Sequence, residues 1–121
     1  MRSAAARNAG RDSSLAERVL LADTWWLRLR GLLFRPPLEP GEGLLLSPCR
    51  AVHMAGMRYT IDVVFLAPNG AVVALYPGLA PGARSRFHRT AHSALELPAG
   101  TIAATGTTVG DIILCSEQES S

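Results

Sequence analysis

The amino-acid sequence predicts a mainly β (α+β) fold: a single compact domain of coiled β-sheets, barrel-like, with two short helices. Three observations carry this expectation. Apolar runs rich in Leu, Val and Ile are short and are punctuated at close intervals by Gly, Pro and Asn, which is the rhythm of strands and turns. Asn69-Gly70 lies between two such runs, and because both residues tolerate positive φ, the pair marks a β-hairpin. Only two stretches carry a helical pattern, one after Asp23 and a short one after Pro98. A sandwich of two sheets satisfies the same strand pattern, so the choice between barrel and sandwich stays open on periodicity alone.

Taken in order, residues 1–14 are small and polar without an apolar period and are expected to form a disordered N-terminal tail; the folded domain is placed at residues 15–115. Val19-Leu20-Leu21-Ala22 reads as a first short strand. Asp23 and Thr24 then offer side-chain oxygens that cap the free amides of a helix. Trp25, Leu29 and Leu32 or Leu33 recur at helical spacing with Arg28 and Arg35 off that line, which predicts an amphipathic helix with its tryptophan in the core. Pro36, Pro37 and Pro40 end it, since proline lacks the N–H that a helix needs. Leu44-Leu45-Leu46 resumes as a strand, and Ser47 to Arg50 turn the chain.

The central stretch, residues 52–66, carries the strongest strand signal and runs to about Leu66; the hairpin turn Ala67-Pro68-Asn69-Gly70 follows, and the return strand covers residues 71–76. Residues 77–92 read as a long loop holding Arg84, Arg86 and Arg89 around Phe87 and His88, and a loop of that length is more often functional or mobile than incidental. Residues 93–97 return as a strand, Pro98-Ala99-Gly100 lead into a short turn or helix through Ala104, and residues 109–115 form a turn and closing strand. Residues 116–121 are expected to be a C-terminal tail.

Composition bounds the function classes. The 121 residues suffice for one modest core, and a chain that is 48% hydrophobic and 18% charged has a globular balance. The net charge of +2 selects no partner. No apolar run reaches the length of a membrane span. Arg2, Arg7 and Arg11 resemble the start of a signal peptide, but Glu17, Arg18 and Asp23 interrupt the apolar stretch it requires, so a cytoplasmic location is expected. Cys49 and Cys115 are far apart in sequence and form no CxxC or framework pattern, which makes reduced thiols the default.

Four motifs in register carry a family resemblance. The central stretch reads His53-x-x-Gly56-Met57-Arg58-x-x-Ile61-Asp62-x-x-Phe65, preceded by Arg28-x-x-Gly31-Leu32-Leu33-Phe34-Arg35 and followed by Leu95-Glu96-Leu97-Pro98-Ala99-Gly100 and Gly110-Asp111. This resembles the DUF192 (UPF0127) family of uncharacterised bacterial proteins, from about Ala22 to Leu114. The resemblance implies a compact arrangement of coiled β-sheets with short helices, and a setting beside envelope or pilus-assembly genes. Two departures are visible: the family usually has methionine where Leu33 stands, and His-Thr-Phe-Gly-Met where this chain has His53-Met54-Ala55-Gly56-Met57.

Asp62 is the residue that needs explaining, because a carboxylate set among Ile61, Val63, Val64 and Phe65 must face solvent or be held by hydrogen bonds. With Arg28, Arg35, His53, Met57, Arg58 and Glu96 it forms the candidate ligand-binding set, each member lying in or beside a matched motif. The first reading is a noncatalytic accessory domain that takes a small anionic molecule or a protein segment at a mouth flanked by Arg28, His53, Arg58 and the 77–92 loop. The bland alternative has Asp62 and Glu96 accepting hydrogen bonds that hold the barrel together. An enzyme reading makes Asp62 and His53 the catalytic acid/base pair of a hydrolase or isomerase. A third reading is weak nucleic-acid binding through Arg84, Arg86 and Arg89 with Phe87 for stacking; the near-neutral charge and the lone aromatic argue against it. No metal or cofactor is expected: His53, His88, His92 and Cys49 match no zinc spacing, and no nucleophile elbow or complete phosphate-binding glycine loop occurs.

Overall fold

The structure is a computed structural model and describes residues 3–22 and 37–118. The helix expected after Asp23, with Arg28 and Arg35, lies outside the described residues. Seven strands, β1 (Ser3–Asn8), β2 (Ser13–Ala22), β3 (Glu42–Leu46), β4 (Ile61–Leu66), β5 (Val72–Leu79), β6 (Ser93–Pro98) and β7 (Ile113–Gln118), are joined by loops and by a short helix at Thr101–Thr105. They form one sheet in the order β5-β4-β6-β3-β2-β1-β7. All neighbours are antiparallel except β2 and β3, which run parallel with Leu20 opposite Leu44.

The mainly β class is therefore observed, and the sheet curls into a half-barrel rather than pairing with a second sheet. Its outer strands touch at one end. Ala71 and Ile112 form a bridge, Val72 N–H donates to the Asp111 carbonyl at 2.8 Å, and Ile113 N–H donates to the Gly70 carbonyl at 2.9 Å. Gly70 has φ +88, and a Cβ there would lie 2.6 Å from the Ile113 carbonyl oxygen, so both the turn and this closure require glycine.

Side chains alternate across the sheet, and β4 and β6 are buried on both faces. Val64 and Leu66 of β4 join Val19, Leu95, Leu97 and the helix residue Ile102 on one face; Ile61, Val63 and Phe65 join Leu44, Leu46 and Ala94 on the other. The second face is roofed by Val52, Met54 and Ala91 from the loops. A strand buried on both sides carries no polar alternation, which is why β4 reads as a continuous apolar run. Phe65, fully buried, contributes about 2 to 3 kcal/mol by burial alone.

Both expected tails depart from the structure. Residues 3–8 form a strand with Ala4 and Ala6 buried, held between β2 and β7. Small alanines give little hydrophobic signal, yet two flanking strands supply every ladder partner that the segment needs. At the other end β7 continues past Cys115 to Gln118, because β1 pairs with it down to Ser3 opposite Gln118. The central strand is shorter than its sequence signal: only residues 61–66 join the sheet, and residues 52–60 form a loop. The return strand β5 is longer, passing Pro77 and Gly78 to reach Leu79. It tolerates Pro77 because it is an edge strand, and the register slips there, with Ile61 opposite Leu79 but Val63 opposite Tyr76.

Candidate functional site

Asp62 belongs to the inner hydrogen bonding of the sheet. It is fully buried, and its Oδ1 accepts the Gly78 N–H at 2.9 Å while Oδ2 accepts the Ile102 N–H at 2.8 Å. Each donor has a reason to lack a ladder or helix partner. Gly78 lies in the bulge of β5 at φ +70, and Ile102 is in the first turn of the helix, whose N-cap is Gly100 with no side chain to offer. Asp62 thus ties the edge strand and the helix to the central strand, with a charge-assisted bond to each.

Glu96 faces the other way, toward the cluster of Ala94, Leu44 and Val63. It is buried, and among the described residues no hydrogen-bond donor reaches its carboxylate. Loss of hydration pushes its pKa up to about 7. At neutral pH it is therefore divided between a neutral acid and a carboxylate.

His53 is exposed, and Asp62 and His53 share no hydrogen bond: both Asp62 oxygens are engaged inside the sheet, whereas His53 lies on the loop outside it. The motif residues accordingly separate into two groups. Asp62 and Glu96 lie in the core on opposite faces, while His53, Met57 and Arg58 lie on the 50–58 loop, with Met57 half-buried against the roof and Arg58 exposed. Arg28 and Arg35 lie outside the described residues.

What the loop does bring together is a basic surface. Residues 50–54 run antiparallel to 82–88: His53 bridges Arg84, His88 N–H donates to the Arg50 carbonyl at 2.8 Å, Ser85 N–H to the Val52 carbonyl at 2.9 Å, and Met54 N–H to the Ala83 carbonyl at 2.7 Å. Val52, Met54 and Ser85 point inward and are buried, which leaves Arg50, His53, Arg84, Arg86 and Phe87 outward. The ribbon is held firmly. Ser85 Oγ accepts the Val52 N–H and donates to the Arg86 carbonyl, both at 2.9 Å. Tyr76 Oη accepts the Arg86 N–H at 3.1 Å and is hydrogen-bonded to His88 Nε2 at 2.7 Å, and the His88 ring packs on Phe65 at 4.8 Å between centroids.

Among the described residues the arginines fall into two sets, those with a carboxylate partner and those without. At the β1–β2 end Arg7 pairs with Asp12, Arg11 with Asp111 at 2.7 Å and Arg18 with Glu42 at 3.3 Å. The Arg11 hydrogen bond, helped by Asn8 and the Thr108 N–H, holds Asp111 well below the ordinary carboxylate range. A shallow groove there, lined by Arg7, Asp12, Ser13, Ser14 and Glu17, carries both signs of charge. Arg58, Arg84, Arg86 and Arg89 have no carboxylate partner among the described residues, and Arg50 spends only its Nε, on the Ala91 carbonyl at 3.2 Å. Asp62, buried and engaged, is the sole acid between Ser47 and His92.

Arg50 was not among the sequence-derived candidates, although that absence of acids was a signal for it. No disulfide joins Cys49 and Cys115, and no group of three His, Cys, Asp or Glu among the described residues is placed to hold a metal ion. Among the described residues no helix is long and apolar enough to cross a membrane.

Comparison with known proteins agrees with the fold. The DUF192 family, described as "Uncharacterized ACR", matches residues 6–115. A protein of unknown function from Novosphingobium aromaticivorans DSM 12444 superposes with a TM-score of 0.78 at 20% identity, over 93% of this chain and 83% of that one. A Sinorhizobium meliloti 1021 protein described as a "putative transcription regulator" superposes with a TM-score of 0.76 at 24% identity, over 94% and 92%. A Burkholderia pseudomallei K96243 protein described as a "Putative exported protein" gives a TM-score of 0.50 at 13% identity, over 96% of this chain but 25% of that one. None of the curated proteins matches this sequence.

Proposed function

We propose that this chain, which belongs to the uncharacterised DUF192 family, is a noncatalytic binding domain that takes an anionic ligand on the arginine surface of residues 50–58 and 82–89. The observation that carries the reading is the contrast between two sets of arginines: those near β1 and β2 are matched by carboxylates, whereas among the described residues Arg58, Arg84, Arg86 and Arg89 have no carboxylate partner. Guanidinium groups without a carboxylate partner among the described residues, on a ribbon pinned by Val52, Met54 and Ser85, form a region of positive potential already organised for planar anions. Burial of both Asp62 oxygens against backbone N–H groups supports a structural role for that residue rather than a share in the ligand site.

The reading extends to an accessory role in the bacterial envelope or pilus assembly, exercised from the cytoplasmic side, as the family's setting suggests. Titration calorimetry with inorganic tripolyphosphate tests the binding step. Binding at low salt that weakens with added salt, and that falls at least tenfold in the double variant Arg84→Ala, Arg86→Ala, is expected. Absence of heat at low salt, or equal binding by the double variant, overturns the reading.

A further inference from the structure

We infer that the anion taken by this surface is the backbone of a single-stranded nucleic acid, with Phe87 as the stacking platform for one base; the inference rests on the anion-binding reading above. Phe87 is 67% exposed, although it is flanked by Arg86 and His88 in a ribbon whose other large apolar side chains, Val52 and Met54, are buried. An exposed aromatic costs solubility and is ordinarily turned inward, yet here the backbone on both sides of it is held, by Arg86 N–H on Tyr76 Oη and by His88 N–H on the Arg50 carbonyl. The ring is therefore presented by a fixed frame.

Around that ring the cations come from two segments that sequence keeps apart. Arg84, Arg86 and Arg89 lie on the same loop as Phe87, and the antiparallel pairing with residues 50–54 adds Arg50 and His53. The paired stretch is ~13 Å long at the rise of an extended chain, a span for a few nucleotides rather than for a duplex groove. Arginines on a backbone track beside an aromatic are the elements by which single strands are held without sequence preference: guanidinium to phosphate, ring to base. The small net charge does not count against this, because Asp62 is the only acid between Ser47 and His92 and is buried, and Asp12, Asp111 and Glu42 are taken up by Arg7, Arg11 and Arg18.

A lipid surface is the competing partner of the same charge. It is the weaker fit because Phe87 is the only exposed large hydrophobic residue on this ribbon; Val109 and Leu114 lie outside it. Stable attachment to a membrane takes more apolar insertion than one ring provides.

The test is fluorescence anisotropy of a labelled oligouridylate of about a dozen nucleotides, run beside tripolyphosphate titration and sedimentation with phosphatidylserine vesicles. Expected is oligonucleotide binding whose log K falls against log salt with a slope of roughly −2 to −3.5, as three to five neutralised phosphates require. Arg84→Ala should flatten the slope by about 0.7. Phe87→Ala should weaken binding roughly 5- to 100-fold while leaving the slope and the tripolyphosphate affinity unchanged. Tripolyphosphate binding without oligonucleotide binding overturns this inference alone, and failure of both overturns the anion-site reading with it. Equal oligonucleotide affinity in Phe87→Ala removes the stacking assignment. Vesicle binding without oligonucleotide binding replaces the nucleic acid by a membrane.

Discussion

Replacing Glu96 by glutamine should stabilise the protein above neutral pH and do almost nothing in acid. Burial raises the folded-state pKa of Glu96 from the ordinary 4.5 to about 7, and among the described residues no donor offsets the lost hydration. The folded chain therefore keeps a proton that the unfolded chain releases. Stability associated with that proton is complete below about pH 4.5 and is lost as pH rises through the folded pKa, at about 1.4 kcal/mol per pH unit. Integrated over the interval, the loss is about 3 kcal/mol, a sizeable part of the total stability of a domain this size. Glutamine keeps the shape and cannot ionise, so Glu96→Gln should match the parent within about 1 kcal/mol near pH 4.5 and exceed it by about 3 kcal/mol at pH 8. Urea unfolding of both proteins at pH 4.5, 6, 7 and 8, compared at constant m, measures the difference. A variant no more stable than the parent at pH 8 would refute the reasoning, since it would mean that the carboxylate is paired and ionised in the fold.

Two further substitutions probe the frame. Asp62→Asn puts an amide donor against one of the two backbone N–H groups of Gly78 and Ile102 and should cost roughly 1 to 3 kcal/mol, seen as a lower thermal midpoint at neutral pH; an unchanged or raised midpoint would show that Asp62 is not holding the fold. Gly70→Ala meets both a φ of +88 and the Ile113 carbonyl, so its midpoint should fall by more than the ~1 kcal/mol typical of a turn glycine, whereas Gly82→Ala, with φ +83 but open space around it, should lose only the backbone part. Equal losses at the two sites would argue that the sheet edges do not meet at Gly70.

How much of this was readable in advance depended on whether the deciding forces were local. The 67–71 turn was legible because Asn69 and Gly70 carry their own backbone preference, and Asn69 Oδ1 indeed accepts the Ala71 N–H at 3.0 Å. Strands β4 and β6 were legible because burial on two faces leaves an unbroken apolar run. Strand β1 was not, since Ala4 and Ala6 are too small to announce a core that β2 and β7 close over them. For the candidate site, the motif marked Asp62, His53 and Glu96 as special but could not say that the first is bonded inside the sheet, the second exposed and the third buried without a donor.

By itself, the sequence determined the β class, the hairpin and the family, because apolar periodicity, turn chemistry and motif spacing are properties of neighbouring residues. Tertiary structure alone decided that one sheet curls until Gly70 meets Ile113, and that the 50–54 and 82–88 segments pair across the β4–β5 hairpin to gather Arg50, His53, Arg84, Arg86 and Phe87. The reason is physical: net charge sums over the chain, whereas the field at a surface depends on which charges lie within a Debye length of one another, and chain folding sets those distances.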